Sequence, residues 1–148
     1  MARSIIAVIV SYILIFALTF LAFTAMYMVL HAGGAFRPGT FESSKRWLLG
    51  AFLVNFVVAV IGGFICAAIA RGGKAPTALA IVLFVLGLGL AIPSIMAQKA
   101  NAGLVRPRGE IPMMEAMQKA HEPTWVPFTF PFVGAAGVLI GGRLRRKT

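Results

Sequence analysis

The sequence contains no aspartate and few charged residues of any kind. Of its 148 residues, 12% are charged and 59% are hydrophobic, whereas ordinary soluble domains carry about 25% charged residues. The mean hydropathy is +0.91. A chain with so few charged residues would expose too much apolar surface to water as a soluble protein, so the composition indicates an integral membrane protein.

Cysteine is almost absent, since Cys66 is the single one in the chain. Disulfide frameworks, CxxC redox motifs and iron–sulfur clusters all need more than one cysteine, and the sequence excludes them. Cys66 lies inside an apolar run, where we interpret it as a small packing residue.

Ionisable residues are missing from the long apolar runs. Four segments reach the length of about 20 residues that a helix needs to cross a bilayer: Ser4–Leu30, Trp47–Ala70, Pro76–Ala97 and Trp125–Gly142. None contains a charged residue or a histidine. Proton-coupled transporters and intramembrane enzymes place ionisable groups at membrane depth, so both classes are disfavoured. Small multidrug exporters with four helices depend on a glutamate in the first helix, and none is present there.

The first apolar run is too long for a signal peptide. It covers 27 residues, whereas the apolar part of a signal peptide has about 7–15. We therefore expect an uncleaved first helix. The sequence predicts an all-α fold: one membrane domain over residues 1–148, built as a four-helix bundle.

A short amphipathic helix is predicted before the fourth span, over Ile111–His121. Met114, Met117 and His121 fall on one side at spacings of three and four, and methionine side chains on an interfacial helix dip into lipid. Thioether and imidazole groups also suit Cu(I). With His31 at the same side of the membrane, a copper site or a haem held between His31 and His121 is an alternative. We expect neither a metal nor another cofactor.

Small residues recur at four-residue spacing in the apolar runs. Small side chains let helix backbones approach closely in lipid, where no hydrophobic effect draws helices together. The predicted packing residues are Ala59, Gly63 and Ala67 in the second run, Gly87 and Ala91 in the third, and Gly134, Gly137 and Gly141 in the fourth. In the first run, Ser4, Ala7 and Ser11 offer a further close-contact face, which we expect to contact a partner.

Asn55 is the one strongly polar residue well inside an apolar run. An interhelical hydrogen bond is its simplest role. Unpaired backbone carbonyls are a second polar feature, because Pro127 and Pro131 have no N–H group to donate to the helix carbonyls one turn earlier. Such carbonyls must be buried in protein or face water, so a ligand site is conceivable there.

Basic residues outnumber acidic ones, fourteen to four, giving a net charge of +10. They sit at the ends of the apolar runs, where we interpret them as topogenic charges that also attract anionic lipid headgroups. No basic domain is present that could bind nucleic acid. If both termini face the cytoplasm, seven basic residues fall on each side, but the cytoplasmic seven are packed into much shorter stretches. We therefore expect cytoplasmic termini, with Trp47 and Trp125 as anchors at the outer interface.

One resemblance covers nearly the whole chain. It is carried by Met114-Glu115-Ala116-Met117, by Pro123-Thr124-Trp125 and by the run from Gly134 to Leu144. These stretches are similar to small four-span proteins of the bacterial inner membrane to which no activity is assigned. The resemblance implies the same location and no catalytic residues.

We expect a non-enzymatic multi-pass membrane protein that serves as an accessory or structural subunit of a larger membrane complex, or that associates with itself. The alternative is a transporter or channel for a small neutral or hydrophobic solute, with a path lined by Asn55, Ser11, Thr19 and the proline kinks. A metal- or haem-binding protein is the second alternative.

Overall fold

The computed structural model describes residues 1–71, 73–101, 103–109 and 111–148. These residues form five α-helices: α1 (Ala2–Ala35), α2 (Lys45–Ala70), α3 (Ala75–Ala100), α4 (Met113–Lys119) and α5 (Trp125–Lys147). The predicted all-α bundle is confirmed. Gly72, which belongs to the short turn between the second and third spans, and Glu110 lie outside the described residues.

Four of the helices are long and apolar enough to cross a membrane. The most apolar windows of α1, α2, α3 and α5 have mean hydropathies of 2.8, 2.6, 2.6 and 1.5. Each helix extends beyond the uncharged segment expected from the sequence, because charged residues such as Arg3, Lys45, Lys99 and Arg143 continue the helices at their ends. The chain thus has the character of a multi-pass membrane protein.

The four long helices form a ring in the order α1, α2, α5, α3. The most extensive packing is between α2 and α5, followed by α1 with α2 and α3 with α5, while α1 and α5 lie across the bundle from each other. Arg3 near the start of α1 donates to Ile69 near the end of α2, and Arg146 near the end of α5 donates to Gly73, so both termini lie beside the α2–α3 connection at one end, the terminal end. The α1–α2 and α3–α5 connections lie at the other, the cap end.

Glycines bring α2 and α5 into backbone contact. A Cβ atom added to Gly141 would collide with the carbonyl oxygen of Val60, and one added to Gly63 would collide with that of Val138. At Gly137, an added Cβ would lie 2.7 Å from the Cβ of Ala59. No larger residue fits these positions unless the helices separate.

The cap consists of three connecting segments, residues 36–44, 103–109 and 111–124, which are joined by backbone hydrogen bonds. The amide of Ser43 donates to the carbonyl of His121 at 2.8 Å, and the amide of His121 donates to Phe41 at 2.8 Å. Arg106 donates its amide to the carbonyl of Gly39 at 3.0 Å. The cap packs on the end of α1 through a buried apolar cluster, formed by Ala32, Ala35, Phe36, Phe41, Ile111 and Ala116.

Two local features determine how the chain passes from α1 to α2. His31 has φ 55° and ψ −179°, which breaks the regular helix of α1 one turn before its end. Ser44 then begins α2: its hydroxyl accepts from the amide of Trp47 at 3.1 Å and donates to the carbonyl of Gly34 at 2.5 Å. This N-cap fixes where Trp47 stands relative to α1.

The predicted interfacial helix is shorter than expected. It covers Met113–Lys119 rather than Ile111–His121. The helix follows Pro112, and Ala120 is extended with ψ 140°. The chain leaves the helix there because His121 pairs with the backbone of Phe41 and cannot also continue helical hydrogen bonding.

Candidate functional site

A cavity in two chambers lies beneath the cap. The upper chamber has a volume of about 290 Å³ and the lower of about 390 Å³. Both are partly open to the surface, and they share the wall residues Trp47, Met113, Met117 and Glu122. These volumes are at the lower end of the range for small-molecule sites, which is about 300–1,000 Å³. We call the two chambers together the cap-end cavity.

The upper chamber is bounded by the cap, α1 and the end of α3. Its polar wall residues include Tyr27, Ser94, Gln98 and Asn101. Several of these groups bind protein atoms already: the hydroxyl of Tyr27 donates to the carbonyl of Ile111 at 2.6 Å, and the side chain of Asn101 donates to the carbonyl of Gln118 at 2.8 Å. The polar groups therefore hold the cap in place over the chamber.

The lower chamber descends between α1, α2 and α5. Its wall is mostly aromatic and aliphatic, and its polar members are Thr19, Asn55 and Glu122. Thr19 and Asn55 were expected to line a solute path, and the structure brings them to this one chamber. Ser11, the third residue of that path, is instead fully buried in the core at the terminal end of α1.

Trp47 forms the wall between the chambers. Its ring stacks on Phe23 with centroids 5.8 Å apart and meets Tyr27 edge-on at 6.3 Å. The side chain is partly buried in this aromatic cluster. Trp125, the other expected anchor, is 55% exposed and stacks on Phe52 with a centroid distance of 6.0 Å.

Among the described residues that line the cavity, Glu122 is the acidic one, and the extended segment after α4 places it there. Its amide donates to Oε1 of Gln98 at 2.9 Å, and Nδ1 of His121 lies 3.1 Å from the carbonyl of Gln98. Within the described chain, no residue forms a hydrogen bond or ion pair with the Glu122 carboxylate. Burial raises the pKa of this carboxyl above its ordinary value of 4.5, and the neighbouring His121 opposes the shift only in part.

Asn55 closes the lower chamber from the side of α2. Its Nδ2 donates to the carbonyl of Phe130 on α5 at 3.1 Å, which leaves Oδ1 as an acceptor. The prolines near it serve packing. Pro131 is buried and lies against Gly87, where an added Cβ would come within 2.6 Å of its Cγ. Pro123 precedes α5, and Pro127 lies in its first turn.

The small residues picked out from the sequence lie inside the bundle. Ala59, Gly63, Ala67, Ala91, Gly134, Gly137 and Gly141 are all buried, and Gly87 is partly buried. Gly134 lies near Asn55, with an added Cβ 3.7 Å from Oδ1. The expectation for the first run was wrong, because Ala7 and Ser11 are fully buried in the core and offer no free face to a partner.

The candidate metal ligands are dispersed. Met114 is 64% exposed, and Met117 lines the cap-end cavity. His121 lines a separate cavity among the cap segments, while His31 borders a third one beside Met28. The predicted common face of Met114, Met117 and His121 is wrong, because α4 ends before His121. The described part of the chain holds no group of three or more His, Cys, Asp or Glu side chains suited to a metal ion.

Comparisons of the chain with protein-family models, with curated proteins and with solved structures find no match. Function therefore has to be argued from the chemistry of the site itself.

The cap-end cavity contains residues that the sequence did not single out. Glu122, Gln98 and Tyr27 come from three different parts of the chain and meet because the cap folds back over the bundle. With cytoplasmic termini, the sequence places all four glutamates in the outer connections, which does not distinguish Glu122 from the others. The sequence did contain a signal for Glu122. Pro123 follows it and disfavours a helical conformation at that position, and in the extended conformation the side chain can point into the cavity.

Proposed function

We propose that this protein is a non-enzymatic multi-pass membrane protein that holds a small, largely apolar molecule in its cap-end cavity. The observation that carries the proposal is the cavity itself: a chamber of about 390 Å³ with aromatic and aliphatic walls and a few convergent polar groups. Concave apolar sites with a small number of placed polar groups are the usual form of small-molecule sites.

The residues that line the cavity do not favour a catalytic function. Among the described residues that line the cavity, no serine or threonine is hydrogen-bonded to a histidine or carboxylate; Ser94 instead accepts from the side chain of Gln98 at 3.3 Å. Nucleophilic catalysis requires a nucleophile within reach of a base. Binding or passage of a molecule requires only the cavity and its polar groups.

Docking on a larger membrane complex, the leading expectation from the sequence, receives less support from the packing. That expectation rested on the helix faces formed by small residues. In the structure these faces make contacts within the bundle, between α2, α5 and their neighbours. The surface that remains on α1 carries bulky side chains such as Ile9, Phe16 and Leu21, which suit lipid. An accessory subunit would have to dock through this bulky surface.

Basic residues at the terminal end support a cytoplasmic location for both termini in a bacterial inner membrane. Arg3 donates from Nε to the carbonyl of Ile69 at 2.9 Å, and Arg146 donates to the carbonyl of Gly73. A pocket beside them is lined by Arg71, Arg145 and Arg146. Anionic headgroups attract such residues by about 1 kcal/mol each near the surface, so this end is suited to the anionic inner leaflet.

Native mass spectrometry of the protein released from bacterial membranes tests the binding proposal. We expect wild-type protein to retain one small organic molecule per chain. Ala51→Phe fills the lower chamber, because Ala51 is buried in its wall, and should abolish retention. Ala136→Phe changes an exposed position on α5 and should leave it intact. An unliganded wild type, or equal retention in Ala51→Phe, would refute the proposal.

A further inference from the structure

The charge of the cap-end cavity is opposite to that of the protein. The chain holds fourteen Lys and Arg against four Glu. Yet among the described residues that line the two chambers, Glu122 is the single charged side chain, and no Lys, Arg or His lines either chamber. If the charged residues were distributed at random, a basic residue would be expected in the cavity walls more often than an acidic one.

Three basic residues of the cap are engaged with partners other than Glu122. Arg37 pairs with Glu42 at 3.3 Å, and Lys119 pairs with Glu115 at 2.8 Å. The guanidinium of Arg106 stacks over the ring of Phe36 at 5.9 Å. No Lys or Arg in the described part of the protein forms an ion pair with the Glu122 carboxylate.

Two polar groups of the lower chamber, Asn55 and Glu122, offer hydrogen-bond acceptors to a ligand, and the Thr19 hydroxyl can donate or accept. Nδ2 of Asn55 donates one of its two hydrogens to the carbonyl of Phe130, and Oδ1 is available as an acceptor. The carboxylate of Glu122 is a pure acceptor when ionised. A ligand that complements these atoms carries positive charge or donors, and an anionic ligand would be repelled.

Aromatic rings supply the second half of a cation site. Phe23, Trp47 and Phe130 line the lower chamber, and Tyr27 adds a ring to the upper one. Ring faces attract cations, and aromatic boxes are the usual binding sites of quaternary ammonium groups. Their apolar surface also suits the hydrocarbon part of such a ligand.

We infer that the cap-end cavity binds a hydrophobic monocation, an amine or quaternary ammonium bearing an apolar group, with Glu122 as its counter-ion and the Trp47 cluster as its aromatic wall. This assignment rests on the proposed function, because it names the class of molecule that the cavity holds. It requires no ionisable residue in the uncharged spans, since the carboxylate comes from the cap.

Protonation of Glu122 competes with such a ligand. Burial raises the pKa of this carboxyl, so the carboxylate forms at higher pH than on an exposed glutamate. Affinity for a cation should rise as the pH rises through that pKa. His121 is the titratable neighbour whose electrostatic effect on Glu122 opposes this shift, and it lines neither chamber. Tyr27, the other titratable residue of the wall, donates to the carbonyl of Ile111.

Fluorescence of Trp47 can report the binding. Trp125→Phe leaves Trp47 as the single tryptophan while keeping an aromatic ring beside Phe52. The full-length protein, in a non-ionic maltoside detergent, is titrated with benzyltrimethylammonium, whose charge does not depend on pH. Its neutral isostere, 2,2-dimethylpropylbenzene, is the matched ligand. We expect saturable binding of the ammonium, at least about tenfold tighter than the isostere at alkaline pH.

Variants separate the counter-ion from the rest of the site. Glu122→Gln should weaken ammonium binding at least about tenfold and abolish its pH dependence. Glu115→Gln makes the same change on an acid outside the cavity walls and should change neither. His121→Gln should keep the pH dependence. If Glu122→Gln does not fold, the comparison of ammonium with isostere in the Trp125→Phe protein still decides the question.

The outcomes distinguish the two proposals. Saturable binding of the isostere as tight as that of the ammonium, or ammonium binding unchanged in Glu122→Gln, would overturn the cation assignment and leave the proposed function standing. Saturable binding of neither ligand would overturn both.

Discussion

The side-chain amide of Asn55 on α2 donates a hydrogen bond of 3.1 Å to the backbone carbonyl of Phe130 on α5. This bond joins the two helices that pack most extensively in the bundle. It lies beside the lower chamber, which both residues line. The same contact therefore stabilises the bundle and forms part of the candidate site.

Asn55→Leu should lower the stability of the bundle. Interhelical hydrogen bonds of this kind contribute about 0.5–2 kcal/mol in membrane proteins, and we expect a loss in that range by thermal unfolding in detergent. Thr129→Val is the control, because it also removes one side-chain hydrogen bond, but one that donates to Trp125 within α5. A loss no larger in Asn55→Leu than in Thr129→Val would show that the interhelical bond is not stabilising.

Gly141→Ala should be more harmful than Gly89→Ala, although the chemical change is identical. A Cβ at position 141 collides with the backbone of α2, whereas nothing lies within 4 Å of a Cβ at position 89. Forcing extra bulk into a packed contact costs about 1–3 kcal/mol, and alanine in place of an unconstrained helical glycine gains up to about 1 kcal/mol. Equal stabilities would contradict the close contact of α2 with α5.

The stability of the unliganded protein should fall as the pH rises through the raised pKa of Glu122. The folded state favours the protonated carboxyl, so this group contributes stability that is fully present below the ordinary value of 4.5 and is lost as the carboxyl ionises. Thermal unfolding between about pH 4 and about pH 8 measures the slope. Glu122→Gln should flatten it, while Glu115→Gln should not. An unchanged slope in Glu122→Gln would place the titrating group elsewhere.

Cysteine labelling tests which side of the membrane each end occupies. In a Cys66→Ala background, we expect Thr148→Cys and Lys74→Cys to react with a membrane-impermeant maleimide only after the inner side is exposed. Pro38→Cys should react in intact cells. All three positions are exposed. Labelling of position 148 and position 38 from the same side would contradict an up-and-down bundle of four spans.

The periodicity and length of the apolar runs predicted the helices, because an uncharged run of about 20 residues can adopt few other structures in lipid. The row from Ala59 to Ala67 was recognisable for a similar reason, since small residues at four-residue spacing form one helix face. Whether such a face meets a helix of the same chain or a partner is decided by tertiary packing. The face of Ala7 and Ser11 shows this, because it is buried within the bundle.

The candidate site was harder to predict because the cap builds it. Glu122 and Gln98 are brought together by backbone pairing among segments that have no repeating pattern. Val138 also shows the limit of periodicity. It lies between Gly137 and Gly141 in sequence but was not among the predicted packing residues, and the structure buries it completely with its carbonyl against Gly63.

Methyl NMR of the methionine side chains tests the central claim most directly, because the chain places methionines both inside and outside the cavity. Met113 and Met117 line both chambers, whereas Met114 on the same helix and Met28 on α1 line neither. The protein, labelled at its methionine methyls, is titrated in maltoside with benzyltrimethylammonium and separately with 2,2-dimethylpropylbenzene. We expect at least one of the two ligands to shift the signals of Met113 and Met117 saturably, with those of Met114 and Met28 unchanged. Shifts that are equal at all four methionines, or that never saturate with either ligand, would contradict a binding site beneath the cap.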